Sequence, residues 1–233
     1  MVPCAWPTQG NCVISNYTSG RDSNRGGCAH SCRFEYSLDF GTEKKKEIFF
    51  MSSKDLNGVR LLPQFIQSGI DSIKVEGRMK SHLYAGTISK IYREALDRLG
   101  DGVKVTESDW SYWESELDKI VHRDYSTGSL QEPAGSDSIY SERPDDEREY
   151  SVVGIVLESI VDKFTLLEVR APFSPGETLE IIPFRGRTLK IKPERIRTVD
   201  NKAVEKTKPG TIVKIPWVEG AIRLNMVRKK VVQ

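Results

Sequence analysis

Histidine is scarce, long apolar runs are missing, and cysteine disappears after the first 32 residues. Three histidines in 233 residues leave little material for Ser-His or Cys-His catalysis. No HExxH, no GxSxG and no GxxxxGK followed by Ser or Thr occurs. The usual signatures of zinc proteases, nucleophile elbows and phosphate loops are therefore absent. No apolar run reaches membrane-spanning length. The opening MVPCAWPTQGN lacks the basic segment and apolar core of a secretory leader. Neither charge sign dominates, with Lys plus Arg 35 against Asp plus Glu 33. Affinity for nucleic acid then has to come from a local patch. Hydrophobic content of 38% and charged content of 29% suit a soluble globular chain. Cysteines confined to one end argue against a disulfide-stapled secreted fold. They favour a reducing, cytoplasmic setting in which thiols act as ligands.

What is present begins with those thiols. Cys12 lies in GNCVIS, and Cys28 and Cys32 lie in GRDSNRGGCAHSCR. The spacing Cys28-Ala-His-Ser-Cys32 puts two thiols about one helical turn or one tight loop apart, and Cys12 can return to them across a polar loop. Such a cluster holds a soft metal or an iron–sulfur cluster. It does not have the paired C-x2-C knuckles of a zinc ribbon. His30, between the last two cysteines, reads as a bystander. Arg21, Arg25 and Arg33 frame the same loop as candidate substrate-binding cations, or as parts of a polar turn.

Downstream, Ile48-Phe49-Phe50-Met51 reads as a short buried parallel strand. Ser52, Ser53 and Asp55 open a predicted helix through Leu56, Val59, Leu62, Phe65 and Ile66. Ser72–Glu76 reads as a second strand. Tyr84, Ile88, Ile91, Tyr92, Ala95 and Leu99 mark a second helix ending at Gly100. Ser108 caps a third, running to about Ile120, whose Trp110, Tyr112 and Trp113 read as packing rather than as a base-stacking platform. His82 reads as a helix-start residue and His122 as a surface residue. Strand–helix repeats with short loops imply a parallel sheet with right-handed crossovers. Residues 134–149 read as a linker. Beyond it, SVVGIVLES, FTLLEVRA, ETLEIIPF, TLKIKP, TIVKIPW and AIRLNMV are short strands separated by turn signals, the pattern of a compact antiparallel β-barrel or sandwich. The expected fold is α/β plus all-β: residues 1–133 as the cysteine loop and the end of a TIM-type barrel, 134–149 as linker, and 150–233 as a small antiparallel β-barrel.

In a parallel α/β fold, ligands sit at the C-terminal ends of strands. Lys74, Glu76 and Arg78 stand at the end of the predicted second strand, and Asp55 follows the first. A cation–carboxylate–cation row orients an anionic substrate. The same row also reads as an ordinary ion-pair network. Lys74, Glu76, Arg78 and Asp55 are the candidate catalytic residues.

Taken together, GNCVISNY, GRDSNRGGCAHSCR, SSKDL, IKVEGRMKS and the closing β-rich segment resemble peptidase family U32, the collagenase-like peptidases. The branch that looks most similar hydroxylates tRNA wobble uridine at position 5. The resemblance implies a TIM-type barrel followed by a β-barrel, tRNA as partner, prephenate as co-substrate, and a 4Fe–4S cluster held by Cys12, Cys28, Cys32 and one further cysteine. Proteolysis, as the family name says, is the rival activity, and a truncated, inactive product is a third reading. Two departures stand out. The family's earlier barrel strands are expected before this point, so a second chain is expected to supply them. The family's first cysteine, in a stretch like HGSMCMAYSG, falls at Ala5, and Cys4 misses it by one. The message CAU GGU UCC AUG UGC AUG GCC UAC UCA G encodes HGSMCMAYS. Read from its second base it encodes MVPCAWPTQ, the first nine residues here. The expectation is an out-of-frame reading that rejoins the family's frame at Gly10.

Overall fold

The computed structural model describes residues 12–21, 27–39, 41, 45–49, 51–77, 80–140 and 149–231. Residues 1–9, including Cys4 and Ala5, lie outside them, as do Arg25 and Arg78. The chain divides into two compact units, residues 1–78 with 122–146, and residues 79–121 with 147–233.

In the first unit, helix α1 (Val13–Ser19) leads into a 3-10 turn at Ser31–Arg33. Strands β1 (Tyr36–Asp39) and β2 (Lys45–Ile48) then pair antiparallel. The predicted strand at 48–51 is corrected accordingly: only Ile48 belongs to a strand, and that strand is half of a hairpin. A short apolar run cannot by itself distinguish a buried parallel strand from the end of a hairpin. The predicted helix from Ser52 is also corrected. Asp55–Leu56 forms strand β3, which pairs in parallel with β4 (Tyr125–Ser126). Helical backbone begins only at the 3-10 turn Val59–Leu61 and continues as α2 (Leu62–Gln67), with Pro63 in its first turn, where a missing N–H costs nothing. Residues 71–77, expected to hold a second strand, have no ladder partner among the described residues. An alternating pattern becomes a strand only where another edge accepts its N–H and C=O groups. Among the described residues, the parallel α/β layer expected for this half is thus represented by the pair β3–β4 alone.

The second unit is an antiparallel β-domain with two helices. Helix α3 (His82–Gly100) is capped by the Ser81 hydroxyl, which accepts from the Tyr84 N–H at 3.2 Å. It buries Leu83, Tyr84, Ile88, Ile91 and Ala95, the expected face, and His82 is its first residue. Helix α4 (Glu107–Leu117) starts one residue before the predicted Ser108 cap and ends before Ile120. Its cap is Thr106, whose backbone N–H and hydroxyl both donate to Asp109 Oδ2, at 3.0 and 2.7 Å. That N–H first, and the hydroxyl second, hold the Asp109 carboxyl below the usual carboxylate range.

Seven strands follow: β5 (Tyr150–Ile160), β6 (Phe164–Val169), β7 (Leu179–Ile182), β8 (Leu189–Ile191), β9 (Arg197–Thr198), β10 (Ile212–Ile215) and β11 (Met226–Lys230). They pair antiparallel in the order β8-β7-β11-β5-β6-β10-β9. Five of the six expected strand segments appear in place; the sixth, AIRLNMV at 221–227, is corrected, since only Met226 and Val227 of it are in a strand, which continues to Lys230, and β9 is an addition. Val153, Val156, Leu167, Val169, Phe173, Ile181, Val213 and Val227 form the core.

Helices α3 and α4 cover the opposite face of β11. Gly86 of α3 packs against the Met226 methyl, which would have to shift if a Cβ were added there. Two residues on, Arg228 is wholly buried and donates from Nη2 to Glu116 of α4 at 2.6 Å and to Glu180 of β7 at 2.7 Å. Lys119 completes the group, 2.8 Å from Glu116 and 3.2 Å from Glu180. A register shift between Val227 and Arg228 sits at this point and aims the guanidinium under the helix.

Burial alone would raise the Glu116 carboxyl. The Arg228 charge and the hydrogen bond from Lys119 outweigh it and hold the group below its ordinary value of 4.5. A carboxyl depressed on folding stabilises the fold above its unfolded value, and that stability is lost as pH falls through the folded value. The urea midpoint is therefore expected to drop on acidification below about pH 4.5. Glu116→Gln should flatten that acid limb, and an unchanged limb would refute the assignment.

Candidate functional site

The chemistry-bearing residues of the first unit gather around Ser15 and around the turn Ser52–Asp55. Cys12 caps α1, its sulfur accepting from the Ser15 N–H at 3.4 Å. The Ser15 hydroxyl, buried, lies 3.8 Å from the Cys28 sulfur and accepts from the Ala29 N–H at 3.2 Å. One serine thus joins the first two cysteines of the motif. The two elements are also tied by Thr18 and Ser31, whose hydroxyls are 3.0 Å apart. Cys32 sits in the adjoining 3-10 turn, and Cys12, Cys28 and Cys32 form no disulfide. Among the described residues, however, no three His, Cys, Asp or Glu side chains are gathered into a metal-ligand set. Cys12 and Cys28, tied through Ser15, and Cys32 in the adjoining turn are thiol donors of the kind an iron–sulfur cluster takes. His30 is exposed, in left-handed backbone at φ 55°.

Arg33 follows Cys32 directly and reaches the second cluster. Its Nη1 donates to Ser52 Oγ at 2.9 Å and to the Ser53 carbonyl at 2.8 Å. Arg123 arrives at the same oxygens from the other side of the sequence. Its Nη1 donates to the Ser53 carbonyl at 2.6 Å and, longer, to Ser52 Oγ at 3.5 Å. Both guanidiniums therefore share one carbonyl. Asp55, 1% exposed, holds Arg123 in place: its carboxylate accepts from the Arg123 backbone N–H at 3.3 Å and lies 3.4 Å from Nη2. The β3–β4 ladder fixes this register, with the Asp55 N–H donating to the Asp124 carbonyl at 3.0 Å. Ser52 is clamped as well, its carbonyl accepting from the Tyr140 N–H at 2.7 Å. Lys54 and Asp124 form a more exposed pair alongside at 3.8 Å. Two guanidiniums on one carbonyl repel each other. The single buried carboxylate offsets one of them.

Of the candidates read from the sequence, Asp55 and Arg33 are brought to this one turn. Lys74 is exposed and Glu76 half-buried on the stretch 71–77, which belongs to no strand, and Arg78 lies outside the described residues. Arg21 is exposed beyond α1, and Arg25 is likewise outside the described residues. Arg123 and Ser52 were not singled out as site residues by sequence reasoning. Asp55 and Arg123 are 68 residues apart, and only the parallel pair β3–β4 brings them together. His122 is half-buried rather than on the surface, its ring stacked on Tyr125 at 4.0 Å.

This architecture, a cysteine loop and serine turn followed by an antiparallel β-domain, matches two family models in chain order. Peptidase family U32 covers residues 5–139, and the peptidase family U32 C-terminal domain covers residues 148–228. The chain belongs to peptidase family U32.

Its relatives carry more than one function. The chain is 33% identical over 237 residues to tRNA hydroxylation protein P1 of Bacillus subtilis (strain 168), covering 94% of this chain and 54% of that protein. It is 38% identical over 92 residues to a 23S rRNA 5-hydroxycytidine synthase of Escherichia coli (strain K12), covering 39% of this chain and 14% of that protein. It is 31% identical over 121 residues to a collagenase of Porphyromonas gingivalis, covering 51% of this chain and 33% of that protein. The chain thus spans about half the length of the Bacillus relative. No helix among the described residues is long and apolar enough to cross a membrane.

Proposed function

We propose that this chain is part of an RNA-hydroxylating enzyme that acts on the wobble uridine of tRNA, with prephenate as co-substrate. The observation that carries the reading is the link made by Arg33. This residue adjoins Cys32 and bonds to Ser52 and Ser53, so the sulfur loop and the paired arginines lie beside one another in a single unit. Similarity to the Bacillus tRNA hydroxylation protein over nearly the whole chain supports it. In this reading Arg33 and Arg123 hold an anionic group of substrate or co-substrate, and Asp55 is a positioning residue that acts through Arg123. The 4Fe–4S cluster belongs to the proposal on the strength of the cysteine motif and of the Ser15 contact shared by Cys12 and Cys28. When bound it supplies redox chemistry, and no step is assigned to it.

The test uses the full chain, reconstituted anaerobically with iron and sulfide and incubated with prephenate and unmodified tRNA. Expected are about four irons per chain, 5-hydroxyuridine by nucleoside mass spectrometry, and loss of iron in Cys28→Ser. An iron-free preparation that cleaves gelatin and leaves tRNA unchanged establishes the peptidase reading instead. Iron-free protein with neither activity marks an inactive product.

A further inference from the structure

We infer that Arg33, Arg123 and Ser52 form a binding site for an oxyanion, carboxylate or phosphate. This deepens the proposed function, from which it takes the anion-holding role of the two arginines, by adding Ser52 and the class of ligand; its own geometry lies within the first unit and stands whether or not RNA is the substrate. Three observations converge. First, the two guanidiniums donate to the same Ser53 carbonyl, at 2.8 and 2.6 Å. One buried carboxylate, Asp55, faces them, and the neighbouring Lys54–Asp124 pair is neutral overall. Among the described residues the turn therefore carries one positive charge in excess in a half-buried setting, where an anion is attracted strongly.

Second, Ser52 is 3% exposed and its Oγ accepts from both arginines. Its own O–H has no acceptor among the described residues, and a buried hydroxyl hydrogen without an acceptor is costly. An oxyanion oxygen beside the two guanidiniums satisfies it. Third, the donors are held before any ligand arrives. Tyr140 and Asp124 fix the turn through its backbone, and Asp55 fixes Arg123. The Nη1 hydrogens of both arginines are taken up by Ser52 Oγ and the Ser53 carbonyl, so the anion takes the Ser52 O–H and Arg33 Nη2, whose own bond, to Ser53 Oγ, is long at 3.5 Å.

Two sources of such an anion exist: a small carboxylic acid, or the backbone phosphate of a nucleic acid. The experiment separates them. Titration of the full chain with inorganic phosphate and with malonate, at constant ionic strength in chloride, should show saturable binding by calorimetry. Arg33→Gln and Ser52→Ala should each bind about 10- to 100-fold more weakly, as loss of a charge-assisted hydrogen bond implies. Ser52→Ala keeps both arginines on the Ser53 carbonyl, so it tests the site even if Arg33→Gln disturbs folding. Malonate that displaces a short oligoribonucleotide identifies RNA phosphate as the occupant. Malonate that binds without displacing it identifies a small carboxylate. Absence of saturable binding, or equal binding by wild type and Ser52→Ala, overturns the inference. Anion binding without tRNA hydroxylation would remove the enzymatic reading alone and leave this site standing.

Discussion

Arg228→Ala is expected to destabilise the second unit by about 3–5 kcal/mol, the usual cost of removing one partner from a buried ion group. The side chain is fully buried and contacts Glu116 and Glu180 at 2.6 and 2.7 Å. Without it, two buried carboxylates keep Lys119 as their one cation among the described residues, with the Thr188 hydroxyl still donating to Glu116 at 3.0 Å, and α4 loses its charged tie to β11. Arg228 is itself imperfectly satisfied: its Nη1 finds no acceptor among the described residues. It lies over the Tyr150 ring at 5.1 Å, a partial substitute for that bond. The intact group is therefore not a large net source of stability. The penalty comes from breaking it, and a triple variant Arg228→Met, Glu116→Gln, Glu180→Gln should recover much of the loss. Thermal unfolding decides: a fall on the order of 10 °C is expected for the single variant. A melting point within about 2 °C of wild type would mean that water already reaches the group.

Trp113→Ala is expected to cost a similar amount, about 3–5 kcal/mol, by a different route. The indole is wholly buried, meets Trp110 edge-on at 5.0 Å, and donates from Nε1 to Glu94 at 3.3 Å. Truncation opens a cavity between α3 and α4 and removes one donor from Glu94, which keeps Lys90 at 3.0 Å. Trp113→Phe retains most of the ring volume and should lose much less. Urea unfolding followed by far-UV dichroism measures both. Equal midpoints for Trp113→Ala and wild type would show that the two helices do not share a packed core.

The second unit was largely legible in the sequence because its signals are local. Alternation in FTLLEV and the Ser174-Pro175-Gly176 turn signal need no distant partner to be read. Tyr84, Ile88, Ile91 and Ala95 repeat at helical spacing, and all four are buried. Trp113 was correctly placed in packing for the same reason. The first unit was harder. Ser72–Glu76 alternates as a strand does, yet a strand exists only in a ladder, and the described chain offers it none. Asp55 looked like the start of a helix because Ser-Ser-Lys-Asp is rich in capping residues. The parallel partner that made it a strand begins at Tyr125, 70 positions along. Arg123 carried no local mark at all, and its role comes entirely from that distant pairing.

The buried Glu116–Arg228 contact has a consequence for biosynthesis. The glutamate is 112 residues ahead of its arginine. At ribosomal speeds of about 5–20 residues per second, that interval is roughly 6–22 seconds. Throughout it, the nascent α4 presents a carboxylate that has Lys119 beside it but not its buried arginine, so water must solvate the surface that β11 will later cover. Docking of the helix pair is therefore a late event that waits on β11, whatever the order in which the earlier strands pair.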